Sequence, residues 1–328
     1  MKNKKKPPFF GETVVITGAS SGIGKATAEA FAEQGADLVL AARGEESLAE
    51  TAEICRKLGA TVIAVPTDTS NAEEVQHLVD EAIEFSGKID YWVNNAGVLA
   101  FGKFEEIPTE ITDQIIKTNL LGYMHSAHSV LSVFKRQKYG VLLNNISIGG
   151  WMPAPYGTAY TASKFGVRGM VETLQGEVSD FPNIHICALY PGFQKSSGIG
   201  HAANYSGIKL STPPPSFDPR QLAASIVKTA KNPTEASYPD WSAIVFKNLY
   251  EIFPGIIRYV SSAATRLLMK RAHQKENTGG NVLEPSKGNM GIDGKSLISI
   301  SSGTLTWAAA GILGSVAVGL LLSGKSKK

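Results

Sequence analysis

Cysteine is scarce in this chain: Cys55 and Cys187 are the only two among 328 residues. Cys55 falls in a helical pattern and Cys187 in an apolar strand pattern, so both read as buried thiols rather than a disulfide. There are six histidines, and none clusters with cysteine at the spacing of a zinc site. An excess of one charge is also missing. The net charge is +3, and much of it lies at the two ends, in Lys2, Lys4, Lys5 and Lys6 and in Lys325, Lys327 and Lys328. A middle so close to neutral implies no basic groove for nucleic acid. The basic stretch MKNKKKPPFFGE has no apolar run after it, so residues 1–10 read as a solvated tail rather than a secretory signal. No internal repeat of 20–50 residues is present. What remains is an ordinary globular balance, 43% apolar and 19% charged, enough for one large α/β domain with extensions or two small ones.

The first two-thirds alternate short apolar runs with helical patterns. TVVITG (13–18), ADLVLAA (36–42), TVIAV (61–65), IDYWVNNAG (89–97), GVLLNNIS (140–147) and IHICALYPG (184–192) have strand length. Between them lie helical patterns at 24–35, 45–59, from Ser70 onward, 109–136 and 158–180. Ser70 and Glu73 stand at capping-box spacing. Apolar runs of strand length alternating with helices predict a parallel sheet covered by helices on both faces. A last strand near 234–240 is only weakly marked by TEASYPD.

The turn after the first strand is TGASSGIG (17–24). Gly18, Gly22 and Gly24 permit a tight turn and let phosphates approach the backbone, and the helix that follows offers free N–H groups with a partial positive charge. A glycine-rich turn alone is a weak signal; its place after the first strand of an alternating pattern strengthens it. The second strand ends at Ala42, followed by Arg43. Dinucleotide folds that take NAD place an acid at this tip to hold the ribose 2′-hydroxyl. An acid would repel a 2′-phosphate, whereas an arginine binds one through paired hydrogen bonds, so Arg43 favours NADPH.

YTASK (160–164) places Tyr160 and Lys164 four apart on one helical face. A free phenol titrates near pH 10. An ammonium beside it favours the phenolate and lowers that value, which suits a group that passes a proton to or from a substrate oxygen. Ser147, at the end of a strand, could hydrogen-bond the same oxygen. Taken singly, a tyrosine and lysine at this spacing are common on ordinary helices.

As a set these motifs resemble the short-chain dehydrogenase/reductase family. They run in its order: TGASSGIG at 17–24, Asp68 after the third strand, NNAG at 94–97, Asn119 in the long helix, Ser147, YTASK, and Pro191-Gly192. The resemblance covers about residues 10–195. It implies a Rossmann-type doubly wound sheet in one catalytic domain over 11–240, with a substrate-covering region at 193–231. It implies that Tyr160 is the general acid/base, that Lys164 lowers its pKa and holds the nicotinamide ribose, that Ser147 polarises the carbonyl, and that Asn119 supports a proton-relaying water. It assigns the cofactor surface to Thr17, Gly18, Ser20, Ser21, Gly22, Ile23, Gly24, Arg43, Asp68, Thr69, Asn95, Ala96, Gly97, Tyr160, Lys164, Pro191 and Gly192, with NADP(H) preferred over NAD(H) and no metal. Two positions depart from the family's pattern: Ser196 stands where many relatives have threonine, and Ile146 precedes Ser147 where a small residue is common.

Beyond Gly192 the sequence reads differently. Residues 241–273 carry apolar positions at helical spacing, interrupted by Pro254-Gly255. Residues 274–302 are polar and glycine-rich and read as a linker. From Ser296 to Gly324 there is no charged residue, and LTWAAAGILGSVAVGLLL (305–322) is nearly all apolar or small. With Gly311, Ser315 and Gly319 in one stripe, residues 303–324 are expected to form a transmembrane helix, preferred to a buried core helix because a linker and a finished domain precede it.

The residues expected around the substrate are apolar or aromatic: Phe193, Tyr205, Ile208 and Phe217, with Trp151, Met152, Tyr156, Leu99 and Phe101. They favour a small lipophilic carbonyl or alcohol over a sugar phosphate. The reading is therefore an NADPH-dependent oxidoreductase, membrane-associated with its catalytic domain in the cytoplasm. The resemblance further implies a homodimer or homotetramer paired through 109–136 and 158–180. The alternative is a membrane-anchored NADP(H)-binding scaffold without turnover. An epimerase or dehydratase would need a sugar-nucleotide domain for which the region after 192 leaves little room.

Overall fold

A computed structural model describes residues 6–271, 276–286 and 290–294. The strands are β1 (Thr13–Thr17), β2 (Asp37–Ala42), β3 (Val62–Pro66), β4 (Tyr91–Asn94), β5 (Ala100–Gly102), β6 (Gly140–Asn145), β7 (Ile184–Leu189), β8 (Phe193–Gln194), β9 (Ala203–Tyr205), β10 (Ser216–Phe217) and β11 (Ala236–Ser237). The helices are α1 (Gly22–Glu33), α2 (Glu45–Lys57), α3 (Ala72–Ser86), α4 (Thr109–Ile116), α5 (Gly122–Gln137), α6 (Thr158–Glu177), α7 (Pro219–Lys231), α8 (Trp241–Ile252) and α9 (Pro254–Arg271).

Seven strands form one parallel sheet in the order β11-β7-β6-β4-β1-β2-β3. The chain moves outward from β1 through β2 to β3, then returns to β4 on the other side of β1. That reversal opens a crevice at the carboxyl ends of β1 and β4, where open α/β sheets bind their ligands. The parallel sheet and the doubly wound plan agree with the sequence reading. The weakly marked last strand is real but only two residues long, and it closes the β7 edge.

Alternation along each strand feeds two cores. Val15, Val39, Trp92, Leu142 and Ile186 face α3, α5 and α6, meeting Leu78, Val79, Tyr123, Val130, Phe134, Val167 and Val171. Val14, Ile16, Leu38, Leu40, Val93 and Leu143 face α1, α2 and α7, meeting Phe31, Leu48, Leu222 and Ile226. Burying each such large side chain contributes about 1.5–3 kcal/mol, so both helical layers are pinned to the sheet by ordinary apolar burial. Cys55 and Cys187 belong to the second core as free, buried thiols.

Four local readings are corrected. The cap of α3 is Asn71, whose Oδ1 accepts from Glu73 N–H at 2.9 Å, while Ser70 donates its hydroxyl to Asp68 Oδ1 at 2.7 Å instead of capping. The long helix at 109–136 is two helices joined by a π-helical turn, Lys117–Leu121. The tail expected to be solvated over 1–10 is not wholly so, because Phe9 is buried against Phe31 and Tyr91; the stretch at 241–271, by contrast, breaks into α8 and α9 where Pro254-Gly255 predicted. The linker of the sequence reading is not free in its described part: residues 276–286 and 290–294 lie on the domain, with Val282, Met290 and Ile292 buried. Among the described residues no helix is long and apolar enough to cross a membrane. The expected span, 303–324, lies outside the described residues.

Candidate active site

The site is assembled from the carboxyl ends of the parallel strands. After β1 the chain makes the glycine turn and enters α1 at Gly22. Gly24 permits this: a Cβ there would lie 2.0 Å from the Gly18 carbonyl oxygen, so any side chain would push α1 off the turn. Arg43 follows β2, Thr67–Thr69 follow β3, and Asn95–Val98 follow β4. Gly18, Ser20, Ser21, Gly22, Ile23, Arg43, Asp68, Thr69, Asn95, Ala96 and Gly97 line one cavity of about 180 Å³. The expected cofactor residues are thus largely brought together.

The remaining ones stand behind or away from that wall. Thr17 is buried, and its hydroxyl donates to Val93 O while accepting from the Asn95 and Ala96 N–H groups. Asn95 adds a side-chain bond to Thr17 O at 3.0 Å, which ties the end of β4 to the glycine turn. Pro191 and Gly192 turn elsewhere: Pro191 O accepts from Ile148 N–H, and Gly192 N–H donates to Asp240 Oδ2.

Tyr160 and Lys164 sit on the first turns of α6, and Ser147 ends the run after β6. Ser147 holds φ at 113°, a strained value for a residue with a side chain, and its Oγ accepts from Gly149 N–H at 3.0 Å. Its hydroxyl also meets the Tyr160 phenol. Lys164 is buried; its Nζ donates to Asn145 O at 3.3 Å and lies 4.9 Å above the Tyr123 ring and 5.8 Å above the Tyr160 ring.

The electrostatics here differ from the sequence reading. Burial raises the Tyr160 pKa above its ordinary value, and the contact with Ser147 is what opposes it. Lys164 is itself pushed down to about 7 by burial. The expected lowering of the phenol by the lysine is therefore not the governing effect in this structure. With burial holding its pKa at about 7, the amine is only partly protonated near neutral pH, and it lies over the rings rather than against the hydroxyl.

Asn119 is buried in the π-helical turn. Its Oδ1 accepts from Val98 N–H at 2.8 Å, and its Nδ2 donates to Val98 O at 2.8 Å and to Ser163 Oγ at 3.2 Å. Its side chain positions the strand end after NNAG and joins it to α6. Inserting a residue to make a π-turn is a common device for aiming a side chain at a functional site.

The expected substrate walls are half-buried. Phe101 and Tyr156 pack with ring centres 6.2 Å apart, while Phe193 and Phe217 meet Phe246 and Trp241 of α8 edge-on, so α8 backs the covering region. Trp151 is committed elsewhere, between Arg168 and Lys247 at 3.3 and 4.4 Å from its ring.

Sequence reasoning missed several lining residues: Ser47, Thr118, Ser196 and Gly198, and from the docked segment Asn281, Pro285, Ser286 and Met290. Apolar residues in a polar stretch, Val282-Leu283, Met290 and Ile292, were the one signal that this segment docks.

The residues fit a dinucleotide. A glycine turn leads into the N-terminus of a twelve-residue helix, an arginine stands at the tip of β2, and the buried Ser197 hydroxyl beside Gly22 has no protein partner. That donor set suits phosphate.

Comparisons with known proteins agree with this geometry. The family model described as short chain dehydrogenase matches residues 12–204. The 11-beta-hydroxysteroid dehydrogenase A of Sesamum indicum is 40% identical over 189 residues, 57% of this chain and 53% of that protein. The chain thus spans about half the length of that relative. The 3beta-hydroxysteroid dehydrogenase 2 of Eggerthella lenta is 34% identical over 200 residues, 60% of this chain and 76% of that protein. Among solved structures, a short chain dehydrogenase/reductase from Burkholderia phymatum in complex with NAD has a TM-score of 0.68 at 26% identity, over 76% of this chain and 96% of that one. An alcohol dehydrogenase from Thermococcus sibiricus complexed with 5-hydroxy-NADP has a TM-score of 0.60 at 31% identity, over 69% and 95%.

Proposed function

Since the chain belongs to the short chain dehydrogenase family, we propose that it is an NADP(H)-dependent oxidoreductase that interconverts a lipophilic carbonyl and its alcohol. The observations that carry this reading are the grouping of Tyr160, Ser147 and Lys164 and a phosphate-type cleft built at the carboxyl ends of the same parallel sheet. The bound nicotinamide supplies or accepts the hydride. The chain's own residues handle the oxygen. Burial raises the Tyr160 pKa further above neutral, so the phenol stands protonated and can donate to the oxygen when the carbonyl is reduced. Ser147 hydrogen-bonds the substrate oxygen, and the protonated fraction of Lys164 stabilises the phenolate left behind.

Arg43 beside Ala42, with no acid at the tip of β2, supports the phosphorylated cofactor. The aromatic covering region supports an apolar substrate, as do the sesame and Eggerthella lenta relatives, whose names point to hydroxysteroids. The test is Tyr160→Phe assayed with NADPH on a panel of hydrophobic ketones and aldehydes. Loss of turnover with cofactor binding retained supports the reading; near-normal turnover overturns it. Silence of the wild type across the panel, with NADPH bound, would turn the reading to the scaffold alternative.

Membrane attachment and pairing belong to the same proposal. Residues 303–324 supply the anchor, with the catalytic domain on the cytoplasmic side. Exposed Ile252, Phe253, Ile256, Tyr259 and Leu267 on α8, α9 and their junction support a surface near lipid. Recovery of the full chain in the soluble fraction, without detergent, would overturn the anchor. Exposed Leu121, Met124 and Phe165 support self-association through the long helices. A monomer in light scattering would overturn that part.

A further inference from the structure

The cleft has two elements suited to hold an anion, Arg43 and the N-terminus of α1, and the chain's own backbone sits on both. Arg43 Nη1 donates to the carbonyl oxygens of Val282 and Leu283 at 3.0 and 3.2 Å, and Nη2 donates to that of Asn281. The Gly22 N–H donates to the Gly291 carbonyl at 3.1 Å. A guanidinium and a helix N-terminus are the groups with which proteins hold phosphate oxygens. Here carbonyl oxygens take both places. The cavity that remains is about 180 Å³, below the roughly 300–1,000 Å³ of small-molecule sites.

The strap formed by 276–286 and 290–294 is held by contacts of moderate strength. Val282 is fully buried among Val98, Ile107, Ile111 and Ile115. Thr278 and Asn204 exchange backbone hydrogen bonds at 2.8 and 3.0 Å, and Gly294 N–H donates to Lys195 O at 2.8 Å. The Arg220–Asp293 ion pair is half-exposed and holds little. A second cavity of about 830 Å³ runs along the strap, lined by Lys209, Leu210, Glu276, Thr278 and Asp293. The strap therefore has open space beside it and is seated outside the two sheet cores, so its departure leaves those cores intact.

We propose that the carbonyls of Asn281, Val282, Leu283 and Gly291 are internal stand-ins for the cofactor's phosphates, which makes the docked strap an autoinhibitory element that the dinucleotide must displace. The proposal rests on the NADP(H) reading above. Exchange is driven because phosphate forms charge-assisted bonds to the same donors, stronger than those of neutral carbonyls. It is opposed by loss of the Val282 burial. The apparent affinity for the cofactor is then its intrinsic affinity reduced by the fraction of molecules with the strap undocked.

Two substitutions in the full chain release the strap, and neither replaces a catalytic residue or one that lines the cofactor cleft. Val282→Asp places a charge in the apolar seat. Gly294→Ala places a Cβ that would lie 2.0 Å from the Ser196 carbonyl oxygen. Calorimetric titration with NADPH should show each variant binding about tenfold more tightly than wild type, the factor that about 1.4 kcal/mol of lost docking produces. In the wild type, saturating NADPH should accelerate hydrogen exchange at the Thr278, Asn281 and Gly294 amides. Weaker or unchanged binding by both variants, or slowed exchange at those amides, overturns the proposal. If one variant fails to fold, the other and the wild-type exchange decide. A wild type that binds NADH and not NADPH overturns the cofactor choice alone, and the same comparison is then read with NADH. Binding of neither dinucleotide by any of the three proteins overturns both.

Discussion

Lys164 Nζ lies 5.8 Å from the centre of the Tyr160 ring, and its hydrogen bond goes to the Asn145 carbonyl rather than to the phenol. The two groups share a helical face, but burial acts on both and in the same sense. It favours the neutral phenol and the neutral amine.

Lys164 therefore costs stability when charged. Its pKa falls from an ordinary 10.5 to about 7 on folding, so between these values the unfolded chain binds more protons. Stability should rise with pH across that window and the penalty should be constant below it. Lys164→Met should remove this dependence. Urea melts should show the variant more stable than wild type below about pH 7, with the gap closing toward pH 10.5, while turnover is lost.

Ser147 combines a needed hydroxyl with a strained backbone at φ 113°. Ser147→Ala and Ser147→Gly should both lower kcat, by a factor on the order of 10² or more for the lost hydrogen bond. They should differ in stability. The glycine variant relieves the strain and should exceed the alanine variant by about 1 kcal/mol in urea unfolding.

Arg43 has two roles in this account, and its removal separates them. Arg43→Ala should weaken NADPH binding by about tenfold or more through loss of the paired phosphate bonds. NADH has no 2′-phosphate to lose, so the loosened strap should make NADH bind more tightly than it does to wild type. Parallel titrations with the two cofactors check both directions.

Asn119 satisfies the Val98 N–H and carbonyl with one side chain. Asn119→Ala leaves both of those backbone groups unpaired in a buried place and should cost roughly 2–4 kcal/mol. The loss should appear as a lowered melting temperature even with saturating cofactor, which distinguishes a positioning role from one confined to proton transfer.

The alternating strands and helices, the strand-end placement of the motifs and most of the cavity wall were legible because each is written in local periodicity or in a short motif. Val14, Val15 and Ile16 announce a strand buried on both faces. What escaped has a different physical origin. The sequence marks a last strand near 234–240, but not that it is only the two residues Ala236–Ser237 on the open edge of β7. The cap of α3 passed from Ser70 to Asn71 because Asp68 captured the serine hydroxyl. The electrostatics of Tyr160 and Lys164 depend on how much protein surrounds them, which spacing does not disclose. The strap docks through main-chain carbonyls, which every residue carries, so only Val282-Leu283, Met290 and Ile292 could mark it.

The bond from Arg43 to Val282 spans 239 residues. During synthesis, at about 5–20 residues per second, Arg43 and the glycine turn leave the ribosome tens of seconds before their internal partner exists. β11, the last strand of the sheet, precedes Val282 as well. The nascent domain can thus complete its sheet with the cleft open, and a dinucleotide that enters then meets no competitor. Loading of the newborn chain and reloading of the finished protein are kinetically distinct events, and only the second has to move the strap.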